Sequence, residues 1–303
     1  MGHAYSRRNV LKTAGVTIGG TALSLTVQGT ARSRAFQPEP VPIGSILPLS
    51  GGLERYGQGM EEGVDLAVAH VNEAGGPMDR SLELISEDSE SDPETVRDKY
   101  DNLVTNEGLV GFVGAGSSDS SLALAERVAD DRVMQVSPSS TSPALAEVGY
   151  DEAQAVKYFS RTAPNDSDQG VVMSYIMETH MNADTAAFLY INNLYGEELA
   201  AEARKSFNGR ILRSVRYSPE TTDYSSTLDR LFQDNPDAIG FIGYLESGRN
   251  ILQTWADGDY GGQLILSEGL NSTALFQDIP DIVEGVYVIS PNPEPTTGTE
   301  TFH

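Results

Sequence analysis

Apolar and polar positions along the chain alternate between two periods. Short continuous apolar runs, which mark buried strands, are separated by stretches with apolar residues on one helical face. Ile43 to Leu49 is such a run, and Met60, Val64, Ala67, Val68 and Val71 then recur at helical spacing. Leu82 to Ile85 predicts the next strand. Asp92-Pro93 predicts a helix start, with Val96, Tyr100, Leu103 and Val104 as the buried face. A strand at Leu109 to Val113, a helix at Ser118 to Asp131 and a strand at Val133 to Val136 continue the series. After a Ser-, Pro- and Gly-rich interval the alternation resumes. Strands are expected at Thr185 to Ile191, Ile211 to Tyr217, Ala238 to Phe241, Leu264 to Leu266 and Val283 to Ile289. Helices are expected at Glu197 to Phe207, Tyr224 to Phe232 and Ser247 to Trp255. Repeated βαβ units predict an α/β fold with two similar lobes, each a parallel sheet flanked by helices. The lobes are expected over 41–160 and 161–290, joined near Phe159 to Pro164.

Two hydroxyl-rich loops follow two of these apolar runs, Leu109 to Val113 and Val133 to Val136. They put Ser117, Ser118, Ser139 and Thr141 at the carboxyl ends of the strands, where open α/β sheets bind small molecules. These hydroxyls can hydrogen-bond an anionic group, and no histidine lies nearby to activate any of them. The pattern predicts holding rather than catalysis. Enzyme signatures fail elsewhere too. The loop Gly114-Ala115-Gly116-Ser117-Ser118-Asp119 starts like a dinucleotide fingerprint but puts an acid where the last glycine belongs. The four histidines, His3, His70, His180 and His303, lack metal-ligand spacing. No metal and no cofactor are expected. Asp88 and Asp92 form a possible acid/base or metal pair, against which Asp92 reads better as a helix cap.

Charge narrows the class further. The net charge is −24, and five of the 20 basic residues but none of the 44 acidic ones lie in the first 35 positions, so the rest carries −29. Such a surface repels nucleic acid and anionic lipid. Acidic excess with only four lysines suits concentrated salt, where self-repulsion is screened, and a halophilic source is expected. Residues 1–35 contain Ser6-Arg7-Arg8-Asn9-Val10-Leu11-Lys12 and a short glycine-containing apolar run, and they resemble a twin-arginine export signal. The expected location is extracellular or at the cell surface. With no cysteine there is no direct lipid anchor.

Several motifs occur in a fixed order: Leu47-Pro48-Leu49-Ser50-Gly51 with Tyr56-Gly57, Asn72 to Pro77, Glu87-Asp88 with Ser91-Asp92-Pro93, and Gly114 to Ser118. Ser137 to Pro143, Arg161 to Pro164, Asn193 to Gly196 and Glu284-Gly285-Val286 follow. In this order the chain resembles the type I periplasmic binding proteins, specifically the leucine/isoleucine/valine-binding receptors of ABC transporters. The resemblance implies an amino acid bound between the lobes. Ser118 and Thr141 would meet its α-carboxylate, with main-chain groups around Ser139, and Glu268 would face its ammonium group from the second lobe. Tyr244 would lie beside the ammonium, and Tyr56 and Tyr195 would line the cleft. The implied partners are permease subunits of an ABC transporter. A ligand-sensing domain of a signalling system, or a receptor for an amide, urea or carboxylic acid, are the alternatives. Family members usually continue past the point matching the Pro/Thr-rich tail at 291–303. An exposed apolar face on the first lobe is therefore expected.

Overall fold

The computed structural model describes residues 38–258 and 260–291. The expected export signal, and the tail beyond Pro291, lie outside them.

The first series runs β1 (Val41–Leu47), α1 (Glu54–Glu73), β2 (Leu82–Asp88), α2 (Pro93–Glu107), β3 (Gly111–Gly114), α3 (Ser118–Asp131) and β4 (Met134–Ser137). The order is the predicted one, but strand ends move by one to three residues because backbone pairing, not hydrophobicity, sets them. β1 pairs with β2 from Val41↔Leu82 to Leu47↔Asp88, so it begins before its apolar run and stops at Pro48, which has no N–H to give. Asp92 caps α2, its carboxylate accepting from the N–H groups of Glu94 at 3.0 Å and Thr95 at 2.7 Å.

A short antiparallel hairpin, β5 (Tyr150–Asp151) with β6 (Val156–Lys157), precedes β7 (Phe159–Arg161), which joins the first sheet beside β4. The second series is α4 (Asp166–Thr179), β8 (Thr185–Ile191), α5 (Leu194–Ser206), β9 (Arg210–Tyr217), α6 (Ser225–Phe232), β10 (Ala238–Ile242) and α7 (Leu245–Asp257). It closes with β11 (Gln263–Leu266), α8 (Thr273–Asp278), α9 (Pro280–Val283) and β12 (Tyr287–Val288). The sequence pattern predicted neither β7 nor α4. α4 has no clean apolar stripe: Met173 and Met177 are fully buried, while Val171, Val172 and Tyr175 are 53%, 43% and 58% exposed. The strand expected at Val283 to Ile289 is also corrected. Gly285 takes φ +80° and Val286 N–H bonds back to the Val283 carbonyl, so this stretch turns and only Tyr287–Val288 pairs with β11.

Both sheets are wholly parallel and share one winding, β2-β1-β3-β4-β7 and β9-β8-β10-β11-β12. In each, the chain changes direction of travel at one crevice, between β1 and β3 and between β8 and β10. Loops leaving such a point diverge and open a space for a ligand. The first core packs Ile46, Tyr100, Leu103, Phe112, Leu124 and Val128; the second is larger and centres on β8, β10 and β11. α1 packs against β1 and β2 of the first sheet. Of its five expected core positions only Val64 is buried, and Val71 and Leu66 are 40% and 57% exposed.

Candidate functional site

The loop after β1 takes its shape from Asp88. One of its carboxylate oxygens accepts from the N–H groups of Leu49 at 2.9 Å, Ser50 at 3.1 Å and Glu90 at 2.8 Å. Asp88 and Asp92 are thus both committed to backbone donors, which accounts for their pairing without acid/base or metal chemistry. Gly57 lets α1 lie directly on this loop, since a Cβ there would stand 1.9 Å from the Pro48 carbonyl oxygen. That approach brings Tyr56 and Met60 over the ends of β1 and β3.

The loops after β3 and β4 are stitched together by their own hydroxyls. Ser137 Oγ donates to the Ala115 carbonyl at 2.7 Å and accepts the Ser140 N–H at 3.0 Å. Ser139 Oγ donates to the Gly116 carbonyl at 2.8 Å. Ser117 caps α3 through Ser120 N–H, which leaves Ser118 as the first helical residue. Ser118 Oγ accepts the Ser142 N–H at 3.2 Å and keeps its own proton available. From the second sheet, Asn193 caps α5 and so places Tyr195; Tyr244 follows β10; Glu268 and Gly269 follow β11.

These elements converge. Tyr56, Ser118, Ser139, Thr141, Tyr195, Tyr244 and Glu268 all line one cavity of about 120 Å³, together with Leu53, Met60, Gly116, Ser117 and Gly269. Tyr195 and Tyr244 stack with ring centroids 5.4 Å apart and planes 11° from parallel. Tyr56 donates its hydroxyl to the Gly269 carbonyl at 2.9 Å, tying the first sheet's loops to the second's. Asp119 accepts the Leu194 N–H at 3.2 Å, and Glu198 accepts the Ser142 hydroxyl at 2.8 Å and the Ala144 N–H at 3.0 Å across the same divide. An outer cleft of about 770 Å³ shares Leu53, Ser117 and Tyr244 with the cavity. It carries Glu54, Glu90, Asp92, Asp119, Glu220 and Glu246 and no basic side chain.

The electrostatics are asymmetric. Glu268 is half-buried as a residue, and its Oε2 is shielded from solvent and makes no hydrogen bond of good geometry, although the Tyr195 hydroxyl and the Gln169 side chain lie beside the carboxyl. Burial pushes the Glu268 carboxyl above its ordinary value. Burial, and then the nearby Glu268 charge, push the Tyr56 phenol up to about 12. Opposite stands the start of α3, where first-turn N–H groups have no intrahelical acceptor and the helix dipole is positive.

Sequence reasoning missed Asp166. It is wholly buried and receives the Thr141 hydroxyl at 2.9 Å and the Gln169 side-chain amide at 2.9 Å. Burial, followed by the Glu268 charge, pushes its carboxyl up to about 8. The hint available was position: Asp166 lies two residues past the Arg161 to Pro164 motif and opens a helix that the apolar pattern did not reveal. The Thr141 hydroxyl, expected as a donor to a carboxylate, already gives its proton to Asp166. Leu53 and Met60, also unanticipated, supply the apolar wall.

A family model described as periplasmic binding protein matches residues 40–302. The chain is 35% identical, over 266 residues, to the chemotactic signal transduction system substrate-binding protein BasB of Halobacterium salinarum, covering 86% of this chain and 63% of that protein. It therefore spans less than two thirds of that relative's length. It is 26% identical over 280 residues to the Leu/Ile/Val-binding protein of Escherichia coli, covering 91% of this chain and 74% of that one. Among solved structures it is similar to the branched-chain amino acid transporter substrate binding protein LivJ of Streptococcus pneumoniae in complex with isoleucine. The TM-score is 0.74 at 23% identity, over 87% of this chain and 75% of that one. That likeness concerns the fold, and it agrees with the twin parallel sheets described above. Motif order, sheet winding and the match over residues 40–302 converge on one conclusion: the chain belongs to the periplasmic binding protein family.

Proposed function

We propose that this chain is an extracytoplasmic solute receptor that closes on a free aliphatic α-amino acid of the branched-chain type. The reading is carried by one observation, a shielded Glu268 carboxyl that no cation among the described residues pairs with, in the same cavity as Ser118 and the start of α3. A zwitterion leaving water needs both charges met, because either one buried alone costs several kcal/mol. Ser118 and the α3 amides suit the carboxylate, and Glu268 suits the ammonium. A ligand with a carboxylate and no cation leaves Glu268 unpaired, which disfavours simple organic acids. The side chain would lie against Leu53, Met60 and the tyrosines. A cavity of about 120 Å³ has room for a short aliphatic group.

Cross-cleft bonds through Tyr56, Asp119 and Glu198 support closure as the signal: a ligand touching both halves favours the closed form by its differential affinity. The partner that reads this shape is proposed to be the permease of an ABC transporter. A chemotactic transducer is the second reading, favoured by the printed name of the relative at 35% identity. Titration calorimetry in concentrated salt with leucine, isoleucine, valine, acetamide and benzoate tests the ligand class. Binding of the three amino acids alone is expected, and binding of benzoate without any amino acid overturns the assignment. Pull-downs of the leucine-loaded protein with detergent-solubilised permease and with transducer distinguish the two partners.

A further inference from the structure

Two acceptor motifs for N-linked sugar occur in the chain, Asn165-Asp166-Ser167 and Asn271-Ser272-Thr273, and neither asparagine lines the ligand cavity. The fold treats them differently. Asn165 caps α4: its side-chain oxygen accepts the Ser167 N–H at 3.0 Å, and its carbonyl accepts from the N–H groups of Asp168 and Gln169. Asp166, the middle residue of that motif, is fully buried and receives bonds from Thr141 and Gln169. Drawing Asn165 into an enzyme would uncap α4 and pull a buried, hydrogen-bonded carboxyl out of the interior.

Asn271 is presented outward. It follows the turn Glu268–Leu270, which is closed by Leu270 N–H to the Ser267 carbonyl and Asn271 N–H to the Glu268 carbonyl, each at 2.9 Å. Leu270 is fully buried and anchors the turn, whereas Asn271 and Thr273 are exposed. The backbone is open at Asn271, with φ −76° and ψ 88°, and extended at Ser272, with φ −140° and ψ 129°. Extended backbone sends alternate side chains to one side, so the amide of Asn271 and the hydroxyl of Thr273 are approached together. Ser272 opens α8 without a side-chain capping bond, and α8 has only six residues. A short, uncapped helix start costs little to unwind.

We infer that Asn271 is a modification site, at which a membrane transferase attaches an N-linked sugar, and that Asn165 stays unmodified. The donor is a sugar carried on a lipid phosphate. Asn271 Nδ2 bonds to the anomeric carbon of the sugar, and the bond from that carbon to the phosphate oxygen breaks. The phosphate leaves with the electron pair, and the proton lost from Nδ2 balances its charge. Thr273 supplies the hydroxyl that marks the acceptor.

The inference rests on the extracytoplasmic location proposed above, because this modification belongs to exported proteins. Peptide mass spectrometry of the full chain, recovered separately from inside and outside the cells that naturally make it, tests both. Trypsin separates the motifs: Arg161 and Arg204 bracket Asn165, whereas Asn271 lies in the peptide that starts after Arg249. Expected is a sugar mass on most copies of the Asn271 peptide from outside the cells and none on the Asn165 peptide. Asn271→Gln and Thr273→Ala should each abolish that mass with leucine affinity unchanged, and Thr273→Ser should retain it. An exported chain without sugar on Asn271, sugar on Asn165, or a mass that survives Thr273→Ala overturns the inference and leaves the receptor reading standing. Recovery from inside the cells alone overturns the location and the inference together.

Discussion

Replacing Glu268 by Gln keeps the size of the side chain and one acceptor oxygen but removes the charge, and its effects on binding and on stability should have opposite signs. With ligand bound, the ammonium loses its buried counter-charge. Truncating one partner of such a pair costs about 2–5 kcal/mol, or roughly 30- to 5,000-fold in affinity. Without ligand, the same carboxyl is a burden: its Oε2 makes no hydrogen bond of good geometry and desolvation raises its proton affinity. Because the folded form holds the proton more tightly than the unfolded chain, the cost is absent well below the ordinary value of 4.5. It grows as pH rises toward the folded value and is complete beyond it. Ligand-free Glu268→Gln should therefore melt above the parent at pH 8 and with it at pH 4, by about 2–4 °C for each kcal/mol relieved. Calorimetric titration with leucine at pH 7.5, and ligand-free scans at both pH values, read the two effects. Unchanged leucine affinity, with or without a change in melting, refutes the ammonium role of Glu268.

Three further variants probe the surroundings. Tyr56→Phe removes the hydroxyl bond to the Gly269 carbonyl and should weaken leucine binding about fivefold, from the loss of about 1 kcal/mol; full retention by calorimetry shows that the bridge does not contribute to closure. Asp119→Asn weakens the acceptor for Leu194 N–H, so small-angle scattering of the ligand-free protein should show a more open form and titration a several-fold loss of affinity. Identical scattering and affinity would remove Asp119 from the closing contacts. Asp92→Ala deletes the α2 cap and should cost about 1 kcal/mol of stability by denaturant unfolding while leaving leucine affinity alone; a large affinity loss would tie the outer cleft to binding.

Features resting on neighbouring residues were legible in the sequence. The Asp92-Pro93 start of α2, the span of α3 from Ser118 to Asp131 and the span of β8 from Thr185 to Ile191 agree between pattern and structure. Each reflects a capping group or a periodicity contained within a few turns of chain. The ring of apolar residues on α4 hid that helix, because a pattern that points in several directions marks no single face. The turn at Gly285 broke the last predicted strand, because its positive φ outweighs the β preference of the flanking valines.

The amino-acid order by itself determined the alternation of strands and helices, the acidic surface and the hydroxyl-rich loops, all set by local conformational preference and composition. Tertiary structure alone decided how those groups are used. The Thr141 proton goes to an acid 25 positions away, and Tyr56 reaches a carbonyl 213 positions away. A hydroxyl donates to whichever acceptor folding brings nearest. A carboxyl changes its proton affinity only once the protein has removed the water around it.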